Sequence, residues 1–141
     1  MKIAVYGRQF NDPVVVPYIR QVFDNLAMHG VEIYVHPQLC DFLSENAIST
    51  SFKPLENLDK LKGFIDLFLT LGGDGTLLDM VAVIRDSGIP VIGINFGRLG
   101  FLASINKNDI DAAIYAVANK QFTLDSRELL CINSEQDIFG R

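Results

Sequence analysis

The run Phe64-Ile65-Asp66-Leu67-Phe68-Leu69-Thr70-Leu71 breaks off into Gly72-Gly73-Asp74-Gly75-Thr76, and this junction constrains the fold more than any other stretch. So short and apolar a run reads as a strand buried on both faces. The glycines end it in a tight turn. Behind them Leu77, Leu78, Val81, Ala82 and Ile84 recur at helical spacing, which predicts a helix with these side chains facing inward and Gly88 as its stop. A strand, a glycine turn and a helix form the repeating unit of a layered, mostly parallel α/β sheet flanked by helices.

The rest of the chain repeats the alternation. Ile3-Ala4-Val5-Tyr6, closed by Gly7, is a buried strand, and Val15, Val16, Ile19, Val22, Phe23 and Leu26 mark a helix stopped at His29-Gly30. Val31, Ile33 and Val35 alternate with Glu32, Tyr34 and His36 as a second strand. Residues 38–46 predict a short helix and residues 47–62 an exposed connection. Pro90 to Asn95 is a further buried strand, and a helix carrying Ile110, Ala113, Ile114 and Val117 is capped by Asn108 or Asp109. The alternation ends near residue 121. Phe122-Thr123-Leu124 and Leu129-Leu130-Cys131-Ile132 then read as strands, so the chain divides into an α/β domain at 1–121 and the start of a cut-off β-rich unit at 122–141.

Composition narrows the function classes. The chain has 141 residues, 49% hydrophobic and 21% charged, the balance of a soluble globular domain. With 12 Lys+Arg against 17 Asp+Glu, the net charge of -5 speaks against non-specific nucleic-acid binding. Ile3 to Tyr6 is too short for a signal-peptide core, and no run reaches the ~18 apolar residues of a membrane span. A cytoplasmic protein is expected, with no membrane partner. Cys40 and Cys131 stand far apart without CxxC spacing and read as two ordinary thiols. His29 and His36 have no ligand partners at metal spacing, and Asp109 and Asp111 read as acids at a helix start rather than a metal pair.

Both glycine-rich segments fall at the carboxyl ends of predicted strands, where α/β sheets place their sites. Glycines let backbone N–H groups approach a ligand, and the helix start behind Gly72-Gly73-Asp74-Gly75-Thr76 adds unsatisfied donors, so the loop suits phosphate. The plainer reading is a tight turn with Asp74 as a cap. Asp74 would repel a phosphate if binding were its only task. It suits instead a base that takes a proton from a hydroxyl nucleophile, or a ligand that holds Mg²⁺ against phosphates. Both tasks belong to phosphoryl transfer. The loop is neither GxxxxGK[ST] nor GxGxxG.

Gly72-Gly73-Asp74-Gly75 resembles the GGDG motif shared by NAD kinases, diacylglycerol and sphingosine kinases and 6-phosphofructokinases. The second loop, Gly93-Ile94-Asn95-Phe96-Gly97-Arg98-Leu99-Gly100-Phe101-Leu102, resembles the NAD kinase pattern, whereas the GTxND-type segment of the lipid kinases is absent. The resemblance runs from Lys2 to about Asn133 and covers the amino-terminal half of the family's length. It implies an enzyme that phosphorylates the adenosine ribose 2′-hydroxyl of NAD⁺ with ATP and Mg²⁺ or another divalent cation, assembled as a homodimer or homotetramer. It implies Asp74 as the base, and Gly72, Gly73, Asp74, Gly75, Thr76, Leu78, Asn95, Leu99 and Phe101 as the residues that hold NAD⁺ or ATP. No metal ligand set is assigned.

The residues allow plainer roles beside these. Phe101 stacks on adenine or belongs to the core, and pattern alone puts Leu78 and Leu99 in the core. Asn95 ties its loop through side-chain hydrogen bonds or caps a turn. Arg98 reads as a solvated surface cation, and Asp79 as an exposed helical acid or a group near a phosphate-bound cation. Arg8 follows the first strand and can face the same crevice. A lipid kinase and a non-catalytic nucleotide-binding module are the rival expectations. The first is opposed by the absent GTxND segment and the acidic charge; the second would show nucleotide binding without turnover.

Overall fold

The computed structural model of the chain describes residues 1–130. Strands β1 (Lys2–Gly7), β2 (Glu32–Val35), β3 (Lys53–Pro54), β4 (Leu67–Leu71), β5 (Val91–Asn95) and β6 (Ile105–Asn106) alternate with helices α1 (Val16–Met28), α2 (Pro37–Glu45), α3 (Asp74–Ile84) and α4 (Ile110–Ala118). The strands form one sheet in the order β3-β2-β1-β4-β5-β6, and every pairing is parallel. The expected parallel α/β architecture is present.

Strand alternation divides the core into two layers. Ile3, Val5, Ile33, Val35, Leu67, Leu69 and Ile94 face α1, α2 and α4, which bring Phe23, Leu26, Leu39, Leu43, Ile110 and Ile114. Ala4, Tyr6, Tyr34 and Phe68 face the other way, toward Met80 of α3 and toward Leu55, Leu61 and Ile65. The chain therefore leaves β1 for one face and β4 for the opposite face. That divergence makes the carboxyl ends of the two strands the switch point of the sheet, where folds of this kind place their ligands.

Several expectations need correction. The strand predicted from Phe64 begins at Leu67, because Phe64 and Ile65 lie in the turn before it. Residues 47–62 are more than an exposed connection: Ile48, Leu55 and Leu61 are buried, and β3 pairs with β2 there. In α3 the buried side chains are Thr76 and Met80, whereas Leu78 and Ala82 are exposed, so the inward stripe is narrower than predicted. Asp109 is the N-cap residue of α4, one of the two expected, but its side chain makes no capping hydrogen bond. Asn106 instead accepts the Asn108 N–H at 3.0 Å, capping a 3-10 turn over Lys107–Asp109 that leads into the helix. Phe122-Thr123-Leu124 and Leu129-Leu130 form no strand among the described residues, and these apolar residues are exposed. Cys131, Ile132 and the remainder of that expected strand lie outside the described residues. Cys40 is a half-buried free thiol.

Candidate active site

The glycine loop is built by β4 and α3. Gly72 donates its N–H to the Ile94 carbonyl at 2.9 Å, so it still belongs to the sheet. Its φ of 144° turns the chain out of the strand, and a Cβ there would lie 2.4 Å from Thr76 Oγ1. Both conditions demand glycine. Gly73 has φ -83° and serves as N-cap of α3, its carbonyl accepting the N–H groups of Thr76 and Leu77. Positive φ is thus confined to Gly72 within this loop; a Cβ at Gly73 or Gly75 would meet its nearest neighbours, the Asn95 amide and the Arg8 guanidinium, only at 3.8 Å.

Asp74 begins α3 and points at the second loop. Its Oδ2 accepts the Phe101 N–H at 2.7 Å, and its Oδ1 accepts those of Leu102 and Ala103 at 2.9 and 2.8 Å. These three donors, Ala103 first, hold its carboxyl below the usual carboxylate range, so it stays ionised at neutral pH. The cradle requires Gly100, where a Cβ would sit 2.1 Å from Asp74 Oδ1. Asn95, buried at the end of β5, closes the same loop: its amide donates to the Arg98 carbonyl and its Oδ1 accepts the Gly97 N–H at 3.0 Å. The geometry carries both readings of Asn95: the Gly97 contact two residues on caps the turn, and the Arg98 contact ties the loop.

Around this polar centre the expected apolar residues are solvent-facing. Leu78 is 52% exposed, Leu99 56% and Phe101 81%. None of the three is core, which removes the plainer reading of each. The Arg127 guanidinium lies 5.8 Å from the Phe101 ring centroid, and Arg98 is exposed.

A second cluster borders the loop. Arg8, just beyond β1, donates from Nε to Asp79 Oδ2 at 2.6 Å and from Nη2 to Asp79 Oδ1 at 2.7 Å. Nη2 also lies 3.3 Å from the Gly75 carbonyl. The Tyr6 hydroxyl donates to Asp79 Oδ2 at 2.8 Å. Arg8 depresses the Asp79 carboxyl, and burial together with Asp79 raises the Tyr6 hydroxyl. Asp79 is therefore the partner of Arg8 rather than a free helical acid. Sequence reading placed Arg8 at the crevice but had no signal for the pairing, which depends on α3 lying across the end of β1.

Residues 9–122 match the family described as ATP-NAD kinase N-terminal domain. The chain belongs to the NAD kinase family. It is similar to the NAD kinases of Christiangramia forsetii, at 36% identity over 95% of this chain and 46% of that protein, and Flavobacterium johnsoniae, at 34% over 96% and 46%. The NAD kinase of Methanothermobacter thermautotrophicus is 30% identical over 98% of this chain and 46% of its own length. The chain thus spans about half the length of these NAD kinases. A crystal structure of yeast NADH kinase complexed with NADH shares the fold, with TM-score 0.67 and 21% identity over 84% of this chain and 36% of that one.

Proposed function

We propose that this chain supplies the phosphate-binding and hydroxyl-orienting half of an NAD kinase active site, acting on NAD⁺ with ATP as donor. The observation that carries the reading is the ionised Asp74 carboxylate fixed between the two glycine-rich loops of a chain in this family. Its Oδ2 accepts one N–H and keeps a lone pair for a hydroxyl. In the proposed reaction the adenosine ribose 2′-hydroxyl donates its hydrogen bond there. Its oxygen forms a bond to the γ-phosphorus of ATP as the bond from that phosphorus to the β,γ-bridging oxygen breaks. The hydroxyl proton passes to Asp74 and then to solvent, and ADP and NADP⁺ leave. A carboxylate with a depressed pKa is a weak base, which suits a loose phosphoryl transition state where orientation contributes more than early proton removal.

Gly73 and Gly75 present backbone to the phosphates in this reading and Gly72 and Thr76, whose N–H groups are bonded within the fold, shape the loop, while Leu78, Leu99 and Phe101 line the nucleotide's apolar faces and Asn95 holds the second loop in place. No three His, Cys, Asp or Glu side chains converge among the described residues. A divalent cation here would be carried by phosphate oxygens and water, with Asp74 as the carboxylate in reach, and when bound it screens the phosphate charge. No helix among the described residues is long and apolar enough to cross a membrane. A cytoplasmic location and assembly as a homodimer or homotetramer belong to the same proposal, and native mass spectrometry tests the assembly.

The catalytic test joins this chain to the carboxyl-terminal half of the Christiangramia forsetii enzyme and follows NADP⁺ formation. Asp74→Asn keeps the side-chain shape but cannot take the proton, and it turns an amide NH₂ toward the Phe101 N–H; the expected loss in kcat is at least roughly 10²–10⁴-fold. A near-normal kcat in Asp74→Asn removes this residue from the chemistry.

A further inference from the structure

The phosphate-binding loop contains no Lys or Arg, so a cation that meets the phosphoryl donor has to come from another element. Gly7 pairs with Leu71 in the sheet, which brings Arg8 out of β1 at the level of Gly72. Its guanidinium then reaches across to the first turn of α3. Nε and Nη2 form one edge of the fork and are both spent on Asp79, with Nη2 also near the Gly75 carbonyl. Nη1 has no hydrogen-bond partner among the described residues, and the space above Gly75 is within 3.8 Å of it. The side chain is 57% exposed, so the free edge is open to solvent.

An exposed ion pair contributes little to stability. This one has a different consequence: Asp79, itself gripped by the Tyr6 hydroxyl, fixes the plane of the guanidinium before any ligand arrives. A preorganised fork loses less freedom on binding than a free side chain. Phosphate oxygens are the acceptors that such a fork recognises best.

From this geometry we infer that Arg8 binds the terminal phosphates of the phosphoryl donor through Nη1, with Asp79 and Tyr6 as its positioning residues. The inference rests on the phosphotransfer reading above and names the donor-side residue of that site. Both a nucleoside triphosphate and an inorganic polyphosphate present the required chemistry.

The test is a titration of the isotopically labelled 141-residue chain with inorganic triphosphate, with ATP and with NAD⁺, in separate arms. NMR follows the Arg8 side-chain Nε–H and the Gly75 and Thr76 amides. Triphosphate and ATP are expected to shift these signals saturably. Arg8→Ala is expected to weaken both by roughly tenfold or more, the effect of losing a charge-assisted hydrogen bond. NAD⁺ binding should change much less, and Lys62→Ala, which removes an exposed cation before β4, should match wild type. Should Arg8→Ala fail to fold, Arg8→Lys retains the charge without the fork and is expected to bind triphosphate several-fold more weakly. Unmoved signals with triphosphate and ATP, or equal affinity in wild type and a folded Arg8 variant, overturn the inference. Triphosphate binding that Arg8→Ala weakens keeps the Arg8 assignment whether or not NAD⁺ binds this half of the site, and NAD⁺ as acceptor is tested separately by NADP⁺ formation in the chimera. NAD⁺ binding with no effect of Arg8 on either donor overturns the Arg8 assignment and leaves the phosphotransfer reading standing. Equal binding of ATP and triphosphate shows that the site reads the phosphate chain alone, and tighter ATP binding shows that the nucleoside adds contacts; either supports Arg8 when its variants weaken both.

Discussion

At the scale of single residues, Gly100 and Gly73 separate two reasons for a glycine. A Cβ at Gly100 would meet the Asp74 carboxylate at 2.1 Å, whereas one at Gly73 has as its nearest neighbour the Asn95 amide nitrogen at 3.8 Å. Gly100→Ala must therefore push the second loop off Asp74. Amide hydrogen exchange at Phe101, Leu102 and Ala103 is expected to accelerate in Gly100→Ala and to stay near wild type in Gly73→Ala. Exchange that is unchanged in both would show that the loop holds without Asp74. Any ligand penalty in Gly73→Ala would then report the space a phosphate occupies, since the free protein has room for the methyl group.

Helix α2 shows how an element's end can depend on protonation. His36 is its N-cap, with Nδ1 accepting the Gln38 N–H at 3.3 Å, and its ring lies edge-on to Tyr6 at 5.0 Å. Burial lowers the imidazole pKa from its ordinary 6.5. The sign follows directly: the unfolded chain takes the proton more readily than the folded one. Stability from neutral His36 is complete above the unfolded value and is lost as pH falls through the folded value. Thermal melting of wild type should therefore decline more on acidification from neutral pH than that of His36→Asn, which keeps a capping side chain but does not titrate. Parallel curves for the two proteins would remove His36 as the source. Helix α3 gives a second contrast. Met80 is 1% exposed and Leu78 52%. Met80→Ala is expected to cost about 2–5 kcal/mol in urea unfolding, and Leu78→Ser within about 0.5 kcal/mol. A large loss in Leu78→Ser would mean that this side chain is covered in solution.

At the scale of the molecule, the described residues have a complete two-layer core but an open site. Leu78, Leu99 and Phe101 are exposed around the glycine loops, and the family's relatives are about twice as long. Phosphoryl transfer depends on holding donor and acceptor in line, so one wall of a site gives little rate even where it binds. A polypeptide of these 141 residues is expected to fold, with a cooperative melt, and to form NADP⁺ only at background. Turnover by that polypeptide approaching that of the chimera with a relative's second half would show that these residues hold a complete site.

The sequence by itself determined the parallel α/β class, the positions of the long strands and helices, and the place of the glycine loop between a strand and a helix. Those features are local: a buried strand needs a continuous apolar run, and a helix needs one recurring stripe. The two-residue strands β3 and β6 escaped because two residues carry no period, and their pairing is decided by the neighbouring strand. The exposure of Leu78 was equally hidden, since α3 covers the sheet through a narrow stripe and only the packed structure shows where that stripe ends. Tertiary structure alone decided the site. Asp74 meets N–H groups 27 to 29 residues away, and Arg8 meets an acid 71 residues away. Such partners are chosen by strand order and by the face on which each helix lands, which no local pattern of residues specifies.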